Sequence, residues 1–233
     1  RNSLEGIDLA INQSDEQLVA LLDELCRQNG SGDHGVYLQI TRGVVEKRQH
    51  AFSAESTPTI FAYPFTIAPP SDGSPANATC FTAVTRTDKR WSRCDIKSTA
   101  LLGNVLHMME AVDDGVHEVL LFNQRDELTE AAACNVFIVD AGKILTPALD
   151  HHILPGVTRR LCLDLLAAHT NWSVEIRPVS RAEVSSAEEI WLSSSTKELA
   201  PVTQIDGQPV GSGQPGPLWS QAQRLFHLYR FNR

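Results

Sequence analysis

The sequence has no apolar run of membrane-spanning length, no excess of basic charge and no cysteine pair at metal-binding spacing. A spanning helix needs roughly 18–20 consecutive apolar residues, so no membrane partner is expected. The formal net charge of −8 and a pI near 5.4 argue against a nucleic acid or an anionic membrane surface as partner, since either favours a basic face. The five cysteines, Cys26, Cys80, Cys94, Cys134 and Cys162, are scattered and odd in number. That pattern excludes a disulfide framework and fits free thiols in a reducing cytoplasm. His151 and His152 are adjacent rather than four apart, so one helical face cannot present both, and no metal site is expected.

What is present is ample core material: 42% of the residues are hydrophobic and 21% charged. Ser14 and Gln17 have capping-box spacing, and Leu18, Leu21, Leu22 and Leu25 follow at helical period until Asn29-Gly30. Val36–Gly43 and Ile60–Ile67 read as strands. Ala68-Pro-Pro-Ser-Asp-Gly-Ser-Pro75 is the richest Pro/Gly/Ser stretch and predicts a boundary: a small domain over 1–67, a linker over 68–78 and a large domain over 79–233. In the second part Cys80–Thr85 reads as a strand and Ser98–Val112 as a helix. The apolar runs His117–Asn123 and Asn135–Val139 flank a polar turn, and Lys143–Thr146 pairs back through Asp140-Ala-Gly142. A helix over Val157–His169, strands at Val174–Val179 and Ile190–Ser193 joined by a helix opened at Ser180…Glu183, and a final helix from Pro217 complete the chain. Strands and helices mix without regular βαβ alternation, so the class is α+β.

Of the five lysines, Lys47, Lys89, Lys143 and Lys197 sit in polar or turn-like surroundings, whereas Lys97 stands just before an apolar helix. Position alone leaves Lys97 an ordinary surface lysine. Its segment, Trp91-Ser-Arg-Cys-Asp-Ile-Lys-Ser-Thr-Ala-Leu-Leu-Gly-Asn-Val-Leu106, closely resembles the lysine segment of the fold-type IV pyridoxal-phosphate enzymes. These include D-amino acid aminotransferases, branched-chain aminotransferases and aminodeoxychorismate lyases. Further landmarks follow in the family's order. Leu128-Thr-Glu-Ala-Ala-Ala-Cys-Asn-Val-Phe137 is similar to the family's Thr-Glu segment, although Ala132, Ala133 and Cys134 stand where serines are common. Ile153-Leu-Pro-Gly-Val-Thr-Arg159 matches its Gly-Val-Thr-Arg turn, a glycine and free amides at a helix start being a ready anion site. Ser193-Ser-Ser-Thr-Lys-Glu-Leu-Ala-Pro-Val202 resembles its second phosphate loop.

The resemblance implies a two-domain fold with a small α/β domain and a larger domain with a mixed, barrel-like sheet, and pyridoxal 5'-phosphate as cofactor. It implies Lys97 as the Schiff-base lysine and proton shuttle, and Glu130 as partner of the pyridine nitrogen. Leu154 is implied against the ring, with Val157, Thr158 and Ser195 at the phosphate. Arg48 and His50 resemble the Arg-x-His pair that receives the substrate carboxylate in the D-amino acid aminotransferases. Side chains two apart on an extended segment share a face and converge on one carboxylate. The implied reaction is transamination of a D-amino acid such as D-alanine with a 2-oxo acid, by a homodimer. The alternatives are an aminodeoxychorismate lyase, a branched-chain L-amino acid aminotransferase, or a truncated, silent cofactor-binding domain. The family pattern also includes upstream small-domain strands, so the small domain is expected to be incomplete in this sequence.

Overall fold

The computed structural model describes residues 1–47, 49–52 and 56–230. The chain divides into two compact units, Arg1–Pro69 and Pro70–Arg233.

The first unit holds the short helix α1 (Asn2–Glu5), helix α2 (Asp15–Gln28) and the antiparallel strands β1 (His34–Thr41) and β2 (Thr59–Thr66). The capping box forms reciprocally: Gln17 N–H donates to Ser14 Oγ, and Ser14 N–H to Gln17 Oε1. Tyr37 faces Tyr63 across the ladder with ring centroids 5.2 Å apart, the cross-strand stacking that stabilises a two-stranded pair.

The second unit is built on a mixed sheet. Its strands are β3 (Phe81–Thr87), β4 (Glu118–Phe122), β5 (Leu128–Ala131), β6 (Asn135–Asp140), β7 (Lys143–Thr146), β8 (Val174–Ile176), β9 (Glu189–Ser194), β10 (Glu198–Ile205) and β11 (Gln208–Pro209). The order is β5-β4-β3-β10-β9-β6-β7-β8, with β11 hairpinned onto β10. The β3–β4, β3–β10 and β7–β8 pairs are parallel and the others antiparallel, and the sheet curls into a half-barrel. Helices α3 (Leu102–Asp113), α4 (Val157–His169), α5 (Arg181–Ser186) and α6 (Pro217–Tyr229) complete the unit.

Strand alternation sorts the core. Val136, Ile138, Ile190 and Leu192 join one cluster with Leu120, Phe122 and Val184. The intervening Phe137, Val139 and Trp191 pack with Cys162, Leu166, Trp219 and Phe226 of α4 and α6. Because both faces are covered, β4 is apolar and buried almost continuously rather than alternating. Asp140 pairs with Lys143 across the two-residue turn Ala141-Gly142, whose φ values of 47° and 72° need the left-handed region that glycine adopts freely.

Four expectations change. Helix α3 starts at Leu102, four residues after Ser98, because Ser98 Oγ accepts from Ala100 N–H and Leu101 N–H donates to Thr99 O. These local bonds compete with the first helical turn. The segment read as a polar turn before Asn135 contains β5, too short for a periodic signal, and the polar loop after β9 closes into β10, whose central Pro201 argues against a strand on sequence grounds. Strand β8 ends at Ile176, short of Val179. No helix among the described residues is long and apolar enough to cross a membrane.

Candidate active site

Strand β5 carries Glu130 as its penultimate residue, with the side chain buried. Its carboxylate is ringed by fixed donors. Arg90 Nη1 donates to Oε1, and Asn135 Nδ2 and Leu154 N–H each donate to Oε2 at 3.1 Å. Burial pushes Glu130 up to about 7, against the opposing pull of Arg90 and the Leu154 amide. Among the described residues Oε1 accepts from Arg90, which leaves a lone pair for a second donor.

Arg90 is itself immobilised. Its Nε and Nη2 hold Asp88 Oδ1 and Oδ2 at 3.0 and 2.8 Å, and Nη2 also donates to His152 O at 3.0 Å. Burial works against the Asp88 carboxylate, but the Arg90 hydrogen bonds and charge, the Arg90 amide and the Thr129 hydroxyl outweigh it and leave Asp88 below its usual range. Thr129 Oγ lies 2.9 Å from Asp88 Oδ2. Sequence reasoning missed Asp88, Arg90 and Asn135. The available signal was Asp88-Lys-Arg90 directly after a strand, where a charged pair reads as a solvated loop.

The turn before α4 is tied to this carboxylate through Asn135 and the Leu154 backbone. Asn135 Nδ2 also donates to Leu154 O at 2.8 Å, and Gly156 then caps α4. A Cβ on Gly156 would lie 2.1 Å from Asn135 Oδ1, so only glycine lets the turn approach the strand so closely. No side chain caps α4, which leaves the Val157 and Thr158 amides at its positive end for an anion. Val157 is exposed and Thr158 buried. Asn135 pairs with Ser193 on β9, and Ser195 follows on the exposed β9–β10 turn at that end of the sheet. Ser193 Oγ is buried and has no hydrogen-bond partner among the described residues.

Lys97 is exposed in the loop between β3 and α3. That loop is pinned at Arg90 and again where Cys94 N–H donates to His151 O at 2.8 Å. Asn104 Nδ2 of α3 donates to Ala132 O at 2.7 Å, behind Glu130. Cys134 turns its thiol away, toward Glu118 and Lys197. His50 is exposed in the first unit, and Arg48 lies outside the described residues.

These features fit pyridoxal phosphate. A buried carboxylate with a spare lone pair suits a protonated ring nitrogen, an uncapped helix start suits a dianion, and an exposed amine suits an aldehyde.

Residues 1–205 match the family model for amino-transferase class IV. D-alanine aminotransferase of Bacillus licheniformis is 39% identical over 94% of this chain and 74% of its own length. The Listeria innocua D-alanine aminotransferase is 37% identical over 96% and 76%. Among solved structures, the branched-chain amino acid aminotransferase of Escherichia coli superposes with a TM-score of 0.86 at 22% identity, covering 98% of this chain and 76% of that one. The pyridoxal-phosphate form of the Thermobaculum terrenum branched-chain enzyme gives 0.86 at 23%, covering 97% and 74%. The buried acid, the open helix start and the exposed lysine thus lie on a known scaffold, and the chain belongs to the class IV aminotransferases.

Proposed function

We propose that this chain transfers the amino group of a D-amino acid, D-alanine among them, to a 2-oxo acid such as 2-oxoglutarate. The observation that carries a transamination site is Glu130, a buried carboxylate held by three fixed donors. The choice of D-alanine rests on the relatives that bear that name at 34–39% identity.

Glu130 would hold the ring nitrogen, Leu154 would lie against the ring, Val157, Thr158 and Ser195 would take the phosphate, and Lys97 would be the covalent anchor. Pyridoxal phosphate, when bound, supplies a carbonyl that condenses with amines and a ring that withdraws electrons from the substrate Cα. Lys97 would take the proton from the substrate Cα and deliver it to the cofactor's C4′ carbon, which requires its amine to be neutral when it accepts the proton. Arg90 aims Glu130 and opposes the effect of burial by favouring its charged form, which would stabilise positive charge on the ring nitrogen. Arg48 and His50 receive the substrate α-carboxylate.

The active form is a homodimer in the reducing cytoplasm, with no macromolecular partner but a second copy. Leu102, Val105, Leu106, Met109 and Val112 line one exposed side of α3, an apolar stripe that monomers rarely leave in water. The cysteines are free, and Cys94, Cys134 and Cys162 are buried.

The test is a coupled assay of pyruvate formed from alanine with 2-oxoglutarate. D-alanine is expected to react and L-alanine not. Turnover of L-leucine with none of D-alanine would transfer the assignment to the branched-chain reaction of the structural neighbours.

A further inference from the structure

Among the described residues, one group of metal-type donors lies outside the machinery above. Asp150, His151 and His152, between β7 and α4, each offer a ligand atom within 4.8 Å of the other two. The spacing argument that separates adjacent histidines holds on a helix and not on this turn, where the two imidazole centroids are 4.0 Å apart with planes at 44°.

The backbone of the turn is fixed while its side chains reach solvent. Cys94 N–H donates to His151 O at 2.8 Å, Arg90 Nη2 to His152 O at 3.0 Å, and Ile153 N–H to Asp150 O at 3.3 Å. Asp150 Oδ1 accepts from His152 N–H at 2.8 Å, and Oδ2 stands 3.7 Å from His152 Nδ1. The nearby charges do not close the site. Asp95 adds negative field beside His151, and Arg125, the cation toward Asp150, is held by Glu127 at 2.7 Å.

We propose that Asp150, His151 and His152 form a surface site for a borderline divalent transition-metal ion of the zinc type, with water completing the shell. Two imidazole nitrogens and one carboxylate oxygen suit zinc, whereas magnesium and calcium take oxygen ligands. Ligand bonds of about 2.0–2.2 Å put the donor atoms within roughly 4 Å of one another, which exposed side chains reach by rotamer adjustment. The fold has already ordered the backbone, so little further ordering opposes binding. The carbonyl of His152 rests on Arg90, so the occupied turn is joined by hydrogen bonds to the Glu130 pocket.

The test is zinc chloride titration of the pyridoxal-phosphate-loaded protein by calorimetry in a non-chelating buffer, with thermal melting as second readout. One zinc per chain and a rise in Tm are expected. Affinity should fall at least about tenfold in Asp150→Asn, which keeps the Oδ1 acceptor of the turn, and in His151→Ala and His152→Ala, since each removes one of three ligands. It should be unchanged in His169→Gln, elsewhere on the surface. No zinc uptake by the wild-type protein, uptake equal in all four variants, or displacement of zinc by equimolar magnesium would overturn the proposal.

Discussion

Two buried glutamates on neighbouring strands behave differently. Glu118 opens β4 and Glu130 lies on β5, and both are almost fully withdrawn from solvent. Glu130 meets a planar guanidinium that is itself clamped by Asp88, plus a side-chain amide and a backbone amide. Glu118 meets the adjacent Val119 amide at 3.1 Å, the Cys134 thiol at 3.5 Å and the Lys197 ammonium at 3.6 Å, from a lysine side chain that is 25% exposed. One carboxylate is held in a fixed orientation with a lone pair to spare; the other is paired through a flexible stem. Burial of an acid therefore does not by itself mark a site, and the rigidity of its donors does.

The largest expected effect comes from the guanidinium. Arg90→Met strands Asp88 and Glu130 together, and a loss of about 3–5 kcal/mol is expected in urea unfolding, the range for breaking a buried ion pair. Next is the functional contrast. Glu130→Gln keeps the acceptor for Leu154 N–H but loses the charge, and transamination should fall about 10²–10³-fold, as when a preorganised electrostatic partner is removed. Glu118→Gln, measured in the same assay, should stay within a few-fold of wild type; equal losses in both would erase the distinction. Lys197→Met should cost about 1–2 kcal/mol in urea unfolding, the scale of one lost partner of a buried group.

A pH slope probes the same contrast. Glu130 titrates near 7 in the folded chain against an ordinary value of 4.5, so the native state binds more protons than the unfolded one between those limits. Stability without cofactor should therefore fall as pH rises from about 4.5 to about 7. The slope should flatten in Glu130→Gln and persist in Glu118→Gln, as followed by urea midpoints across that range.

Local chemistry made much of the fold legible. The Ser14 and Ser180 capping boxes, the Ala141-Gly142 turn and the span Val157–His169 all follow from short-range rules and form as expected. Strands β5 and β10 did not, because four residues carry no period and Pro201 speaks against a ladder. The site divides the same way. Lys97, Glu130 and the Gly156-Val157-Thr158 turn were visible through family segments, but the clamp of Asp88 and Arg90 on Glu130 joins strands remote in sequence. Only the sheet order, with β5 beside β4 and β4 beside β3, brings it together.

The most direct single measurement is the visible absorbance of the chain loaded with pyridoxal phosphate, before and after D-alanine, in wild type and in Lys97→Ala. The expected result is a yellow band that D-alanine bleaches, that L-alanine leaves unchanged, and that Lys97→Ala does not form. A band that survives in Lys97→Ala, or one that no amino acid alters, would contradict the assignment of Lys97 and Glu130 to one transaminating site.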